Sequence, residues 1–216
     1  MKIIVGIATM NSRKAQLVNA IRSLNEQTIK PDAIHIYNND EEQHDFTDNA
    51  KFHALAKYNE PVYYFSCDDD IFYPNWYIQE TIDKIEQYNC IVTYHGRRLL
   101  GKGLNYYRGH YGYRCLGDVE DDTLIDVAGT GVTAFRTDYF NPTEIYRSEH
   151  KRMSDCVFSL EAAKQNKKII VLSHKKGDFI DLQADLETSC YGREFRKPVT
   201  QGKIADVIYK LNYERD

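Results

Sequence analysis

Asp68, Asp69 and Asp70 stand side by side, two residues after the apolar run Val62, Tyr63, Tyr64 and Phe65. Adjacent carboxylates repel one another, so such a cluster calls for a cation or a well-solvated turn. Asp68 and Asp70, two residues apart, can both turn toward one hard divalent cation that bridges a diphosphate. A cation so placed neutralises charge building on a departing phosphate group. The competing reading is a solvated acidic turn that caps the following helix. Phosphatases that begin from strand-end aspartates need a small-residue turn after them, and Ile71, Phe72, Tyr73 and Pro74 follow here instead.

Three more positions have the right chemistry to join this corner. Asp155 opens an amphipathic segment, where it is either a first-turn helix residue or a general base. An Asp carboxylate is ionised at neutral pH and can accept the proton of an attacking hydroxyl within hydrogen-bond reach. His174 follows the apolar run of residues 168–172 and is either a satisfied structural residue or a nitrogen ligand; a nitrogen donor would favour Mn²⁺ over Mg²⁺. Gly129, Thr130 and Gly131 make either a tight turn or a place where backbone approaches a ligand closely. They are not a phosphate-binding Walker loop, which requires Gly-Lys-Ser/Thr.

The elements that must position these residues alternate in type. Residues 3–8 form a β-branched run that ends in the polar cluster 9–13. Leu17, Ile21 and Leu24 then recur at the spacing of one buried helix face. Residues 33–37 predict a second strand, 45–58 a helix and 62–65 a third strand. Ile78, Ile82 and Ile85 mark another helix, and 90–94 a fourth strand. Residues 96–125, punctuated by glycine and rich in Tyr and Arg, predict an irregular excursion. Strands over 132–136 and 168–172 flank a helix that starts near Ser154; a polar stretch to about residue 199 precedes a C-terminal helix. This alternation predicts an α/β fold with a mixed, mostly parallel, doubly wound sheet flanked by helices. Ligands of such sheets bind beyond the carboxyl ends of the strands, so the clusters 9–13, 38–40 and 68–70 should share one edge.

Composition sets the frame. A chain of 216 residues with 42% hydrophobic and 28% charged residues has the makeup of one ordinary globular domain. A net charge of -4 offers no global attraction for nucleic acid and speaks against it as a partner. The five cysteines contain no CxxC pair, and there is no secretory leader or apolar span, which together predict a cytoplasmic protein without a transmembrane segment.

In order and type these segments resemble the family 2 glycosyltransferases with a GT-A fold. The similarity runs over residues 3–175. Thr9 to Arg13 with Leu17, Ile21 and Gln27 are similar to the family's N-terminal signature, and Asn38, Asn39 and Asp40 stand where it usually has paired acids. Residues 67–71 with Pro74 are similar to its DxD segment, 129–131 to its glycine loop, Ser154 and Asp155 to its xED element, and His174 to its metal-binding histidine. The resemblance implies a core over residues 1–175 and a C-terminal loop and helix over 176–216 that pack on or cover the active site. It implies transfer of a sugar, with inversion, from a nucleotide-diphosphate donor to a hydroxyl on a glycan or other acceptor. UDP-sugars are the family's commonest donors. Thr9, Asn11, Arg13, Asn38, Asn39 and Asp69 would form the nucleotide pocket. Asp68, Asp70 and His174 would hold Mn²⁺ or Mg²⁺, and Asp155 would be the base. Alignment on Pro74 gives a second register, with Cys67 and Asp69 at the DxD positions. Arg97, Arg98, Tyr106, Tyr107, Arg108 and Tyr111 either line the acceptor side or belong to a solvated loop. Lys175 and Lys176 either assist the leaving phosphates or are surface charges.

Overall fold

The computed structural model describes residues 1–183 and 198–214. The first apolar run forms β1 (Lys2–Thr9), and its side chains divide between two cores. Ile3, Val5 and Ile7 pack on one face of the sheet and Ile4 on the other, as the two-residue period of a strand requires. A strand buried on both faces belongs inside a sheet, and β1 lies between β2 (Ala33–Asn38) and β3 (Val62–Cys67), parallel to both. One core is covered by α1 (Lys14–Asn25) and α2 (Tyr77–Tyr88), which contribute Leu24, Tyr77, Ile78 and Ile85. The opposite core is covered by the segment Thr47–Lys57 and by α3 (Ser154–Lys164), which contribute Phe52, Leu55, Phe158 and Ala162. Fully burying one such phenylalanine contributes about 2 kcal/mol. The helix expected over residues 45–58 is present as a 3-10 helix, Thr47–Lys57.

The remaining strands build a seven-stranded sheet in the order β2-β1-β3-β10-β5-β11-β8. Here β5 is Ile91–Thr93, β8 is Thr123–Ile125, β10 is Val132–Arg136 and β11 is Ile169–Val171. The sheet is mostly parallel; β10 runs against both β3 and β5, and β8 runs against β11. The reversal at β10 has a positional consequence. Its first residue, Val132, pairs with Cys67, the last residue of β3, so the turn before it sits at the carboxyl edge of the parallel strands. Gly129, Thr130 and Gly131 are thereby delivered beside the three aspartates, and the Asp68 N–H donates to the Gly131 carbonyl at 3.2 Å.

The stretch 96–125 is more regular than its composition predicts. β6 (Gly96–Leu99) pairs antiparallel with β7 (His110–Tyr113) and with β9 (Val127–Ala128), making a small second sheet, and β8 joins the edge of the main one. These strands lack a continuous apolar face of their own. They gain it from α4 (Pro198–Tyr213), which brings Ile204, Ala205 and Ile208 against Leu99, Tyr106, Val127 and Cys156. Buried Asp126 clamps the junction: it accepts from the Leu99 N–H at 2.8 Å, the Asn212 amide at 2.8 Å and the Tyr213 hydroxyl at 3.1 Å. On the other flank β4 (Ile71–Phe72) pairs with β12 (Ile180–Asp181), and the Leu182 N–H reaches the Asp70 carbonyl. The described residues after 175 are therefore packed into the domain on both flanks, while residues 184–197 of the expected polar stretch lie outside the described residues. No helix among the described residues is long and apolar enough to cross a membrane.

Candidate functional site

A cleft of about 960 Å³ opens at the carboxyl edge of the sheet. Thr9, Arg13, Asn39 and the three aspartates form one wall, and Asp155 with the turn 129–131 faces them. The β6–β7 hairpin supplies Arg97, Tyr106, Tyr107, Arg108 and His110, and α4 supplies Gln201. Arg98 and Tyr111, placed beside them by sequence, do not line the cleft.

The three aspartates do different work. The Asp69 side chain is only 3% exposed and is consumed by its neighbours: Thr9 Oγ1 donates to Oδ2 at 2.6 Å and Arg13 Nη1 to Oδ1 at 2.8 Å. Burial raises its pKa, and Arg13 and Thr9 pull against that rise. Asp68 and Asp70 are more exposed, at 37% and 23%. Cys67 is fully buried, and all three aspartates line the cleft. Asp70 is crowded: burial first, then Asp68, push its pKa up to about 7, although Arg13 Nη1 donates to it at 3.1 Å.

A buried cation that the sequence did not advertise completes this wall. Lys51, on the 3-10 helix and 3% exposed, donates to Asp68 Oδ1. Burial alone would lower its pKa, yet Asp68 and Asp48 outweigh burial and hold the ammonium above its ordinary value. Lys51 sits between Ala50 and Phe52 in a segment that otherwise reads as a half-buried helix, and only Asp48 three residues earlier hints at a partner.

The turn 129–131 joins the acids to Asp155. A Cβ built on Gly131 would overlap the Asp68 carboxylate, and one built on Gly129 would strike the His95 ring. Between them the Thr130 N–H and hydroxyl donate to Asp155 Oδ1 at 2.8 and 2.9 Å. Arg97 Nη1 approaches Asp155 Oδ2 at 3.5 Å and also donates to the Tyr106 hydroxyl at 3.0 Å. Burial would raise the Asp155 pKa; Arg97 first, then the Thr130 N–H, overcome it and hold the carboxyl below its ordinary value. His95 is itself kept neutral, its pKa pushed down to about 4 by burial first and then by Arg97. The Ser154 N–H, unpaired within its own first turn, is capped by Asp48 at 2.9 Å.

Six expected residues stand elsewhere or do other work. The Asn39 amide is used up on backbone, bonding the Thr9 and Thr47 carbonyls and the Phe46 N–H, so it pins the loop rather than facing the cleft with free donors. Asn11 and Asn38 are off the cleft wall and bond each other at 3.0 Å. His174 is buried, and its Nδ1 and Nε2 face the Leu172 and Arg114 carbonyls at 2.8 and 3.0 Å. The ring packs against Tyr94 and Phe179 and does not reach the cleft, so the imidazole is not brought to the aspartates. Lys175 and Lys176 do not line the cleft either, and their backbone N–H groups bond Asp178 and Asp118.

No family model matches the chain, and no curated protein matches it in sequence.

The donors present fit a divalent cation of a particular kind. No group of three His, Cys, Asp or Glu side chains that could hold a metal occurs among the described residues. Two cleft carboxylates, Asp68 and Asp70, would offer a hard cation such as Mg²⁺ or Mn²⁺ oxygen donors only. With oxygen donors alone, the preference for Mn²⁺ over Mg²⁺ that a histidine ligand would bring has no footing in this arrangement.

Proposed function

We propose that this chain is a metal-dependent glycosyltransferase with a GT-A fold, which moves a sugar from a nucleotide-diphosphate donor to an acceptor hydroxyl with inversion. One observation carries the reading. The carboxylates of Asp68, Asp70 and Asp155, far apart in sequence, line one cleft, and the turn 129–131 joins Asp68 to Asp155.

Asp68 and Asp70 would hold the divalent cation, which when bound supplies positive charge against the donor's diphosphate. Asp69 touches no ligand in this scheme; it fixes Arg13 and Thr9 beneath the nucleotide. Asp155 accepts the acceptor's hydroxyl proton while that oxygen forms its bond to the anomeric carbon. The bond from that carbon to the phosphate oxygen breaks as the new one forms, and its electron pair leaves with the nucleoside diphosphate. A carboxylate held below its ordinary pKa is a weak base, but it is ionised at any physiological pH. It needs to take the proton only once bond formation has made the hydroxyl acidic. Thr130 and Arg97 orient it, and a single base opposite the leaving group gives inversion.

The test is a panel of UDP-, GDP- and dTDP-sugars with Mg²⁺ or Mn²⁺, scored by thermal shift and by release of nucleoside diphosphate. A ligand bound only by the native state raises its melting temperature. The expected result is a shift and slow hydrolysis with one donor class. A wild-type protein that neither binds nor cleaves any of them removes the proposal.

A further inference from the structure

Charge is divided unequally around the cleft. From His95 to Gly117 the chain carries Arg97, Arg98, Lys102, Arg108 and Arg114 and no Asp or Glu, in a protein whose net charge is -4. Arg97, Arg108 and Arg114 reach the cleft wall. Arg97 already has partners in Asp155 and in Tyr106, whose ring lies 4.9 Å from the guanidinium. Arg108 and Arg114 are exposed, and among the described residues no carboxylate pairs with either. The acids of the cleft other than Asp155 come from residues 40–70, on the opposite wall. Asp155 is itself engaged by Arg97 and Thr130.

Two guanidinium groups without a paired carboxylate, on the cleft that also holds Asp155, suit a planar or tetrahedral anion. Arginine's fixed fork of donors suits carboxylate and phosphate alike. We infer that the acceptor carries an anionic group, phosphate or carboxylate, bound by Arg108 and Arg114 while its hydroxyl lies at Asp155. This deepens the transferase reading above and rests on it. The occupant is an acidic glycan or sugar phosphate. Nucleic acid would engage a long row of phosphates, and the chain's overall charge opposes it.

The experiment is retention on a printed glycan set that pairs phosphorylated and uronic-acid glycans with neutral counterparts. The proteins are the wild type, the double variant Arg108→Met with Arg114→Met, and Lys102→Met as a control for charge off the cleft wall. The wild type should retain acidic glycans at least about tenfold more strongly than neutral ones, and the double variant should lose that margin while Lys102→Met keeps it. Phosphate-only or carboxylate-only retention then tells which anion is read. Equal retention of neutral glycans, no retention at all, or a margin untouched in the double variant overturns the inference. Steeply salt-dependent capture of a DNA oligonucleotide in place of glycans overturns it in favour of nucleic acid. Donor-induced thermal shifts are measured on the same preparations. Their absence from the wild type sinks the transferase reading while leaving the anion result intact. Their loss in the double variant alone assigns these arginines to the donor's diphosphate and overturns the acceptor site.

Discussion

The Asp68 carboxylate occupies the space that a side chain at Gly131 would fill. Strand β10, turned against its neighbours, brings the glycine to the end of β3, and the missing Cβ lets a carboxylate lie against the turn. The Gly131→Ala variant must push Asp68 away from the turn while Lys51 still holds its other oxygen. Transfer should fall by about tenfold or more, with a stability loss of only about 1–2 kcal/mol, as for other overpacked sites. Steady-state rates and urea unfolding separate the two effects. Wild-type turnover in a folded Gly131→Ala protein would show that the position of Asp68 is immaterial.

Asp155 is argued to be the base, so Asp155→Asn should reduce transfer by about 10²–10⁴-fold and leave the donor-induced thermal shift in place. Asparagine keeps an oxygen for the Thr130 donors, while the side that faces Arg97 loses its charge and its acceptor. The pH dependence of stability gives an independent check. Burial would raise this pKa, but Arg97 and Thr130 win and lower it. A carboxyl whose folded pKa lies below its unfolded value adds stability above the unfolded pKa and loses it as pH falls through the folded one. The stability gap between wild type and Asp155→Asn should therefore be widest near neutrality and close below about pH 4, the ordinary Asp value. A gap that persists unchanged into acid contradicts the charge argument.

Asp70 has the opposite sign. Its pKa is pushed up to about 7, by burial first and then by Asp68, so the metal-free protein should gain stability as pH is lowered through that value. Protons and a divalent cation compete for the same carboxylate, and Mn²⁺ or Mg²⁺ should raise the melting temperature at pH 8 and do so less at pH 6. Chelation with EDTA should stop transfer, and either cation should restore it. Asp70→Asn should abolish the cation's thermal effect and stabilise the metal-free protein at pH 8 by about 0.5–2 kcal/mol, the usual gain when a functional site is relieved of strain. An undiminished Mn²⁺ shift in that variant would take Asp70 out of the ligand set.

How much of this was legible in the sequence follows from the physics of each element. Apolar runs such as the one in β1 announce strands because burial on both faces leaves no polar position, and the polar clusters after them fall at one edge for topological reasons. The choice between the two aspartate registers was open in sequence. What the sequence could not show is that Asp69 is the most enclosed of the three, because Thr9 and Arg13 from the opening segment close over it. The hairpin of β6 and β7 was not legible, since its cover comes from α4, about a hundred residues later. His174 shows a further limit. The end of a strand locates a residue but not the direction of its ring, which here is fixed by two carbonyls. Lys51 was invisible because nothing local distinguishes a buried ammonium from a solvated one; its partner is Asp68, on a different element.

That ion pair supports the last prediction. The Lys51 ammonium lowers the Asp70 pKa as well as neutralising Asp68, so it stands in for part of the charge that a bound cation would bring. In Lys51→Met the carboxylates repel each other with one cation fewer. Two consequences pull on cation binding. At pH 8.5, where both acids are ionised, Mn²⁺ should bind more tightly than in the wild type because a competing positive charge is gone. The pH midpoint of binding should nevertheless move upward, because protonation of Asp70 becomes easier. Removing one partner of a buried pair costs about 3 kcal/mol, and Asp68's partial exposure makes that an upper value here. The double variant Lys51→Met with Asp68→Asn should recover part of it, which a thermodynamic cycle measures. A merely structural lysine would lower stability in the same way but leave both the Mn²⁺ affinity and its pH midpoint where they were, and calorimetric titration across pH 6 to 8.5 distinguishes the two.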